Sequence, residues 1–188
     1  MVRITKKVII LWIGLTLLAN GFLVLSSLNN EGETHYVGWN LSELTEIIDE
    51  GREISFVIPG NNDKLMNISV FFSTYARNNT GNLLMTVSSH GDTIFRQRVA
   101  LNEISDNSFF DFGNINIQMK KNEEYTVTFS AENGNESGVS AWRDESGNLV
   151  AWYVTEKCLS VDDFLKVNAF FVPLNLIACL MLKALRRK

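Results

Sequence analysis

Three large aromatic residues, Trp142, Trp152 and Tyr153, fall close together in the C-terminal third of the chain, beside Arg143, Asp144 and Glu145. Sugars present C–H faces that stack on aromatic rings, and their hydroxyls bond to carboxylates, amides or guanidinium groups. This combination of residue types therefore suits glycan binding, and Trp142, Arg143, Asp144, Trp152 and Tyr153 are the candidate residues. Aromatics are also good strand formers and large core fillers. In the string "AWYV", neighbouring side chains point to opposite sides of a sheet, so at most one of Trp152 and Tyr153 is core and the other faces outward.

Other chemistry is sparse. His35 and His90 are the only histidines, and a Ser/His/Asp triad needs three groups brought together in space with one marked as nucleophile. Asp106, Asn107 and Asp111 could ligate a structural calcium ion, which takes six to eight oxygens, but turn capping by Asp and Asn accounts for them equally well. No metal, cofactor or catalytic residue is expected. There is no Gly-rich phosphate loop, no Cys/His zinc spacing and no HExxH. Two cysteines, Cys158 and Cys179, offer no disulfide within the central region. Four N-x-[ST] sequons occur, at Asn40, Asn67, Asn78 and Asn135, and matter only where the host glycosylates.

The elements that would hold these residues begin with two apolar ends. Residues 8–25, "VIILWIGLTLLANGFLVL", are 18 nearly continuous apolar residues, close to the roughly 20 needed to cross a bilayer core. Residues 167–182, "VNAFFVPLNLIACLML", are a shorter candidate broken by Asn168, Pro173 and Asn175. Arg3, Lys6 and Lys7 precede the first run; Lys183, Arg186, Arg187 and Lys188 follow the second. The positive-inside rule puts both clusters in the cytoplasm and the middle outside. Residues 29–166 hold 10 of the 17 basic residues and all 21 acidic ones, a net charge of −11. So acidic a surface argues against nucleic acid as partner. Ala19-Asn20-Gly21 also resembles a signal-peptide cleavage site, though the apolar run continues through Leu25 as a retained anchor would.

Amides in hydrocarbon are costly unless bonded to a neighbouring helix. Asn168 and Asn175, seven apart, share one helix face with Phe171 and Val172, and Asn20 sits at a depth between theirs. These three asparagines are expected to make helix–helix contacts within the chain or with a partner. Pro173 removes one backbone hydrogen bond beside them and predicts a kink.

Between the ends, the chain reads as short strands. Residues 43–58 admit a helix capped by Asn40 or two strands around Asp49-Glu50-Gly51; the alternation of Ile54, Phe56 and Ile58 favours strands. "MNISVFFSTYA", "NLLMTV", "TIFRQRVAL", "FFDFGNINIQM" and "EYTVTFSA" follow, with His90-Gly91-Asp92 as a turn. "VSAW" and "NLVAWYV" read as a closing hairpin. Eight or nine short strands joined by Gly/Asn/Asp turns predict a mainly β fold, an antiparallel β-sandwich.

The ordered set Phe56…Pro59…Leu65…Ile68-Ser69-Val70…Tyr75, Gly81-Asn82-Leu83, Asp106-Asn107, Phe112 and Tyr125 resembles one family across residues 52–131. These are the jelly-roll, carbohydrate-binding-module-like ectodomains of bacterial membrane proteins involved in cell-envelope polysaccharide assembly. The closing stretch "SAWRDESGNLVAWYVTE" matches the pattern less clearly. The resemblance implies a jelly-roll-like fold and a cell-envelope setting, with no catalytic residues to carry over. Members often continue into a glycosyltransferase or polymerase; this chain would need a partner for such activity.

The sequence thus predicts a jelly-roll-like antiparallel β-sandwich ectodomain flanked by two transmembrane helices. Residues 1–28 form a basic tail and signal-anchor helix, 29–163 the extracytoplasmic sandwich, and 164–188 a second transmembrane helix and basic tail. Both termini would be cytoplasmic, in a cell membrane. The expected function is that of a non-catalytic accessory protein that recognises a cell-envelope polysaccharide or docks on a polytopic membrane glycosyltransferase or polymerase. The alternative is a purely structural subunit of a membrane complex. A sensor role would require an output domain that neither tail has room for, and an enzyme ranks last.

Overall fold

A computed structural model describes residues 6–28, 32–49, 51–132 and 138–158, together with 165–166, 168–169, 173, 175–177 and 180. Outside these lie Arg3, Glu50, Asn135, Phe171, Val172, Cys179, Lys183, Arg186, Arg187 and Lys188, and with them the basic tails, one sequon and part of the second apolar run. The chain divides into two compact units, Glu31–Lys157 and a second made of Met1–Asn30 with Cys158–Lys188.

The Glu31–Lys157 unit is a mainly β, antiparallel two-sheet sandwich. Its strands are β1 (Glu33–Tyr36), β2 (Glu43–Leu44), β3 (Glu53–Pro59), β4 (Lys64–Ser73), β5 (Asn82–Ser89), β6 (Asp92–Ala100), β7 (Ser108–Phe112), β8 (Ile117–Gln118), β9 (Glu124–Glu132), β10 (Ser140–Arg143) and β11 (Ala151–Glu156). Seven of these form one sheet around β4, and β3-β9-β5-β6 form the other. The chain crosses between sheets repeatedly, as the jelly-roll-like expectation requires at this coarse level. The count exceeds the predicted eight or nine because β1, four residues long, is too short to leave a periodic signal, and because one predicted strand is two, β7 and β8.

Alternation decides what is buried. Ile54, Phe56 and Ile58 of β3 point inward while Glu53, Ser55 and Val57 point out, and of the first half of 43–58 only Glu43–Leu44 is strand, with Ile48 bridging Val139. Ile68, Val70 and Phe72 of β4 are fully buried. Between the sheets, Phe129 lies 5.3 Å from Phe112 and 5.9 Å from Phe72, ring centre to ring centre, in the tilted and edge-on arrangements that aromatic quadrupoles favour. His90 and Gly91 both have positive φ (53° and 87°), the two-residue hairpin turn whose twist matches that of the strands β5 and β6.

The segment read as one strand, "FFDFGNINIQM", is two. Asn114 and Asn116 adopt φ of 61° and 65°, a left-handed geometry that no strand continues through. The closing hairpin also departs from simple pairing. Arg143 bridges Leu149, but β11 then pairs with residues 64–70 of β4 and β10 with Phe72 and Ser73. The two strands occupy successive stretches of the same edge of β4.

In the other unit, α1 runs Lys6–Leu28, 23 residues. Among the described residues no helix is long and apolar enough to cross a membrane, so the two transmembrane helices are not confirmed. That finding covers only described side chains, and those of residues 6–10, 23, 24 and 26–28 of α1 lie outside them. Leu11, Leu17, Leu18, Phe22 and Leu25 are all more than half exposed. Asn20 Nδ2 donates to Thr16 O (2.9 Å) and to Asn168 Oδ1 (3.4 Å), and Asn168 Nδ2 donates back to Asn20 Oδ1 (2.9 Å). Asn175 is helical and half-buried.

Candidate functional site

Opposite residues in an antiparallel pair share a face, so the register alone assembles a surface on the outside of the seven-stranded sheet. One row runs Tyr36 (β1), Trp152 (β11), Ser69 (β4), Asp111 (β7). The next places Phe109 beside Phe71, continuing to Val150, whose carbonyl accepts from Phe71 N at 2.9 Å. Val150 N donates to Trp142 O at 2.7 Å, so Trp142, opposite Val150, lies on the same side. Four strands at 4.7–4.9 Å spacing give each row a length of about 14 Å.

The rings on this surface pack edge to face. Phe71 and Phe109 are 5.0 Å apart at 86°, and Phe109 and Trp152 are 6.3 Å apart at 55°. Tyr36 and Trp39 are 4.3 Å apart at 81°; Trp39 is 66 % exposed, Tyr36 57 % and Phe109 46 %. Large aromatics standing this far into water gain little from the core. Beneath them, the fully buried Ser69 donates its hydroxyl to Asp111 Oδ1. Asp111 is the one ionisable group among the outward residues 67–71 of β4 and their partners. Lys64, further along the same strand, is paired in register with Glu156.

The five sequence candidates separate. Trp142 and Trp152 come together on this outer face, and the Trp142 indole N–H donates to Asn107 Oδ1 at 3.1 Å. Tyr153 is excluded from it: it points inward, 8 % exposed, stacked on His35 with centroids 4.8 Å apart at 22°. Burial and the nearby Glu33 raise its hydroxyl above the ordinary tyrosine range. Arg143 Nη1 donates to Gly147 O (2.7 Å), and Asp144 Oδ1 accepts from Ser146 N and Asn148 N (2.9 Å each). Both side chains hold the turn in which they sit.

The sequence reading missed Tyr36, Trp39, Phe71 and Phe109. Phe71 shares the face of Asn67, Ser69 and Ser73, opposite Ile68, Val70 and Phe72, so alternation places it outward, but nothing local says which rings it meets there. Tyr36 lies in a four-residue strand whose register to β11 is non-local. An outward aromatic at alternate positions, as in Thr34-His35-Tyr36, was the available signal.

The remaining polar clusters do other work. Asp106 Oδ1 accepts from Thr74 N (2.6 Å), Ser73 Oγ (3.1 Å) and Thr74 Oγ1 (3.2 Å). The Thr74 N–H, followed by the hydroxyls, holds this carboxyl below the ordinary range despite some desolvation. Asp106 and Asp111 thus bond to different parts of β4 and its loop, and among the described residues no group of three His, Cys, Asp or Glu could hold a metal ion. His35 Nε2 lies 3.0 Å from Thr155 Oγ1, on a residue only 1 % exposed. Burial, its largest cause, raises the Asp63 carboxyl against the lowering effect of Lys157. His90, in its turn, lies 3.8 Å from Glu123.

No protein-family model matches the chain, and no curated protein matches it. Among solved structures it is similar to a ruminal GH26 endo-β-1,4-mannanase (17 % identity, TM-score 0.35, covering 71 % of this chain and 23 % of that one). It is also similar to latent PorU of Porphyromonas gingivalis (12 %, TM-score 0.40, covering 67 % and 12 %). A third is the CBM36-1 domain of a xylanase from the hindgut metagenome of Trinervitermes trinervoides (8 %, TM-score 0.39, covering 69 % and 100 %). The chain thus spans less than a quarter of the length of the first two. Similarities this slight carry no argument about function.

Proposed function

We propose that this chain is a membrane-anchored, non-catalytic protein that binds a glycan across the outer face of its seven-stranded sheet. The observation that carries this reading is the outward row of Tyr36, Trp152 and Asp111 with Phe71 and Phe109 beside it, in which Tyr36, Asp111 and Phe109 are exposed and Trp152 and Phe71 half-buried. Rings exposed in water offer stacking surfaces for the C–H faces of sugars, and the carboxylate pinned by Ser69 offers an acceptor to their hydroxyls. A protein-docking patch would also be apolar, but it would not need a charged acceptor set among its rings. The anchor rests on α1. Its 23 residues rise about 34 Å, enough for a hydrocarbon core of about 30 Å, and the reciprocal Asn20–Asn168 amide bonds are the kind that hold two helices together in lipid. The sandwich would then stand outside a cell membrane, beside a glycosyltransferase or polymerase that handles the same polysaccharide.

Calorimetric titration of the full chain in lipid nanodiscs, against soluble cell-envelope polysaccharide fragments, tests the reading. Saturable binding that is lost in Trp152→Ala, with folding intact, supports it. A flat titration from the folded chain would overturn it and leave the structural-subunit reading.

A further inference from the structure

We infer that the outer face selects neutral pyranose chains and rejects acidic ones, with Asp111 as the specificity-determining residue; this rests on the glycan reading above. Charge is the deciding feature. Across the rows from Asn67 to Phe71, the outward residues are Thr34, Tyr36, Asn67, Ser69, Phe71, Phe109, Val150, Trp152 and Val154 around the single carboxylate of Asp111. No Lys or Arg stands among them. The cations nearest in register lie beyond the two ends of these rows: Lys64, five residues from Ser69 and paired in register with Glu156, is about 16 Å away along the strand, and Arg77 sits over Tyr75, whose hydroxyl meets Ser140 opposite Ser73.

A uronate laid along this row would bring its own carboxylate up to that of Asp111, with no guanidinium or ammonium within the row to offset the repulsion. Like charges at close range disfavour binding, the more so against a surface of low polarity such as these rings. A neutral pyranose presents only hydroxyl donors and weak acceptors. Ser69 donates to Oδ1 of Asp111, which leaves Oδ2 to accept from a ligand hydroxyl. A bond to a charged acceptor is the stronger kind of hydrogen bond. The net charge of the surrounding domain, strongly negative, adds repulsion of the same sign over a longer range.

The test uses the full chain in nanodiscs of uncharged lipid, titrated at low salt with cellohexaose and mannohexaose as neutral probes and hexagalacturonate as the acidic one. At least one neutral hexamer should bind about tenfold or more tightly than hexagalacturonate, a gap of about 1.4 kcal/mol. In Asp111→Asn, which keeps the side chain's shape, that gap should close to about threefold or less. Ser69→Ala keeps the charge and releases the carboxylate, so the gap should persist while neutral affinity falls several-fold. Hexagalacturonate binding as tightly as the neutral probes, or a gap unchanged in Asp111→Asn, overturns the inference and leaves the glycan reading standing. Binding of none of the three by the folded wild-type chain overturns both.

Discussion

The outward row Tyr36–Trp152–Ser69–Asp111 on the seven-stranded sheet has a counterpart on the four-stranded sheet, Ser55–Thr128–Thr86–Arg96. Both are built by the same alternation, with buried Ile, Val and Phe at the intervening positions. The second is what an antiparallel sheet facing water ordinarily presents. It is polar, and on the same sheet Arg98 Nη2 donates to Glu132 Oε1 at 2.7 Å. The first carries rings that stand partly in water, Tyr36 and Phe109 most of all. Since one core serves both faces, the difference lies in what each face does, and the aromatic one is where a ligand should be sought.

That comparison holds only if the core is shared, and the largest effect tests this. Phe72→Ala removes a fully buried ring from the cluster with Phe112 and Phe129, and should cost about 3–5 kcal/mol. Chemical denaturation should show one transition shifted as a whole; two separated transitions from the sandwich would mean that the sheets are not one cooperative body. The sharpest contrast comes next. Trp152→Ala should weaken glycan binding at least tenfold, about 1.4 kcal/mol or more. Thr128→Ala, on the other sheet, should leave both affinity and stability within about 0.5 kcal/mol. Equal losses from the two variants would erase the distinction between the faces.

How far the two faces could be read in advance differs in the same way. Ile54, Phe56 and Ile58 announce their burial by spacing alone, and His90-Gly91 announces its turn. The four-stranded sheet was therefore legible nearly strand by strand. The aromatic face was not, because it depends on pairings such as Tyr36 with Trp152 and Ser69 with Asp111, 116 and 42 positions apart by residue number. Nothing local sets such a register. Trp142 and Trp152 were recognised as candidates by residue type, but Arg143 and Asp144 beside them were already committed to a turn, which composition does not reveal.

Smaller effects sharpen the picture at its margins. Asn168→Leu removes both amide bonds to Asn20 and should weaken helix association in micelles by about 0.6 kcal/mol, leaving glycan binding at the sheet unchanged. Asp106 tethers Ser73 and Thr74 at one end of the aromatic face, and Asn107 bonds to both Asp106 Oδ2 (3.0 Å) and Trp142. Its carboxyl titrates below the ordinary value when folded. The stability it adds is therefore fully present above the unfolded value of about 3.9 and is lost as pH falls through the lower folded one. Thermal unfolding followed below about pH 4 should decline less steeply in Asp106→Asn than in the wild type; parallel curves would remove Asp106 from the account.

The sharing of one edge of β4 by β10 and β11 has a further consequence. With β7 and β8 on its other edge, β4 is flanked on both sides along nearly all of its ten residues, while β6 has a neighbour on one side only. Amide protons of Ile68 to Phe72 should therefore be among the last to exchange with deuterated solvent, at rates set by global unfolding. Those on the open side of β6 should exchange through local fraying, far sooner.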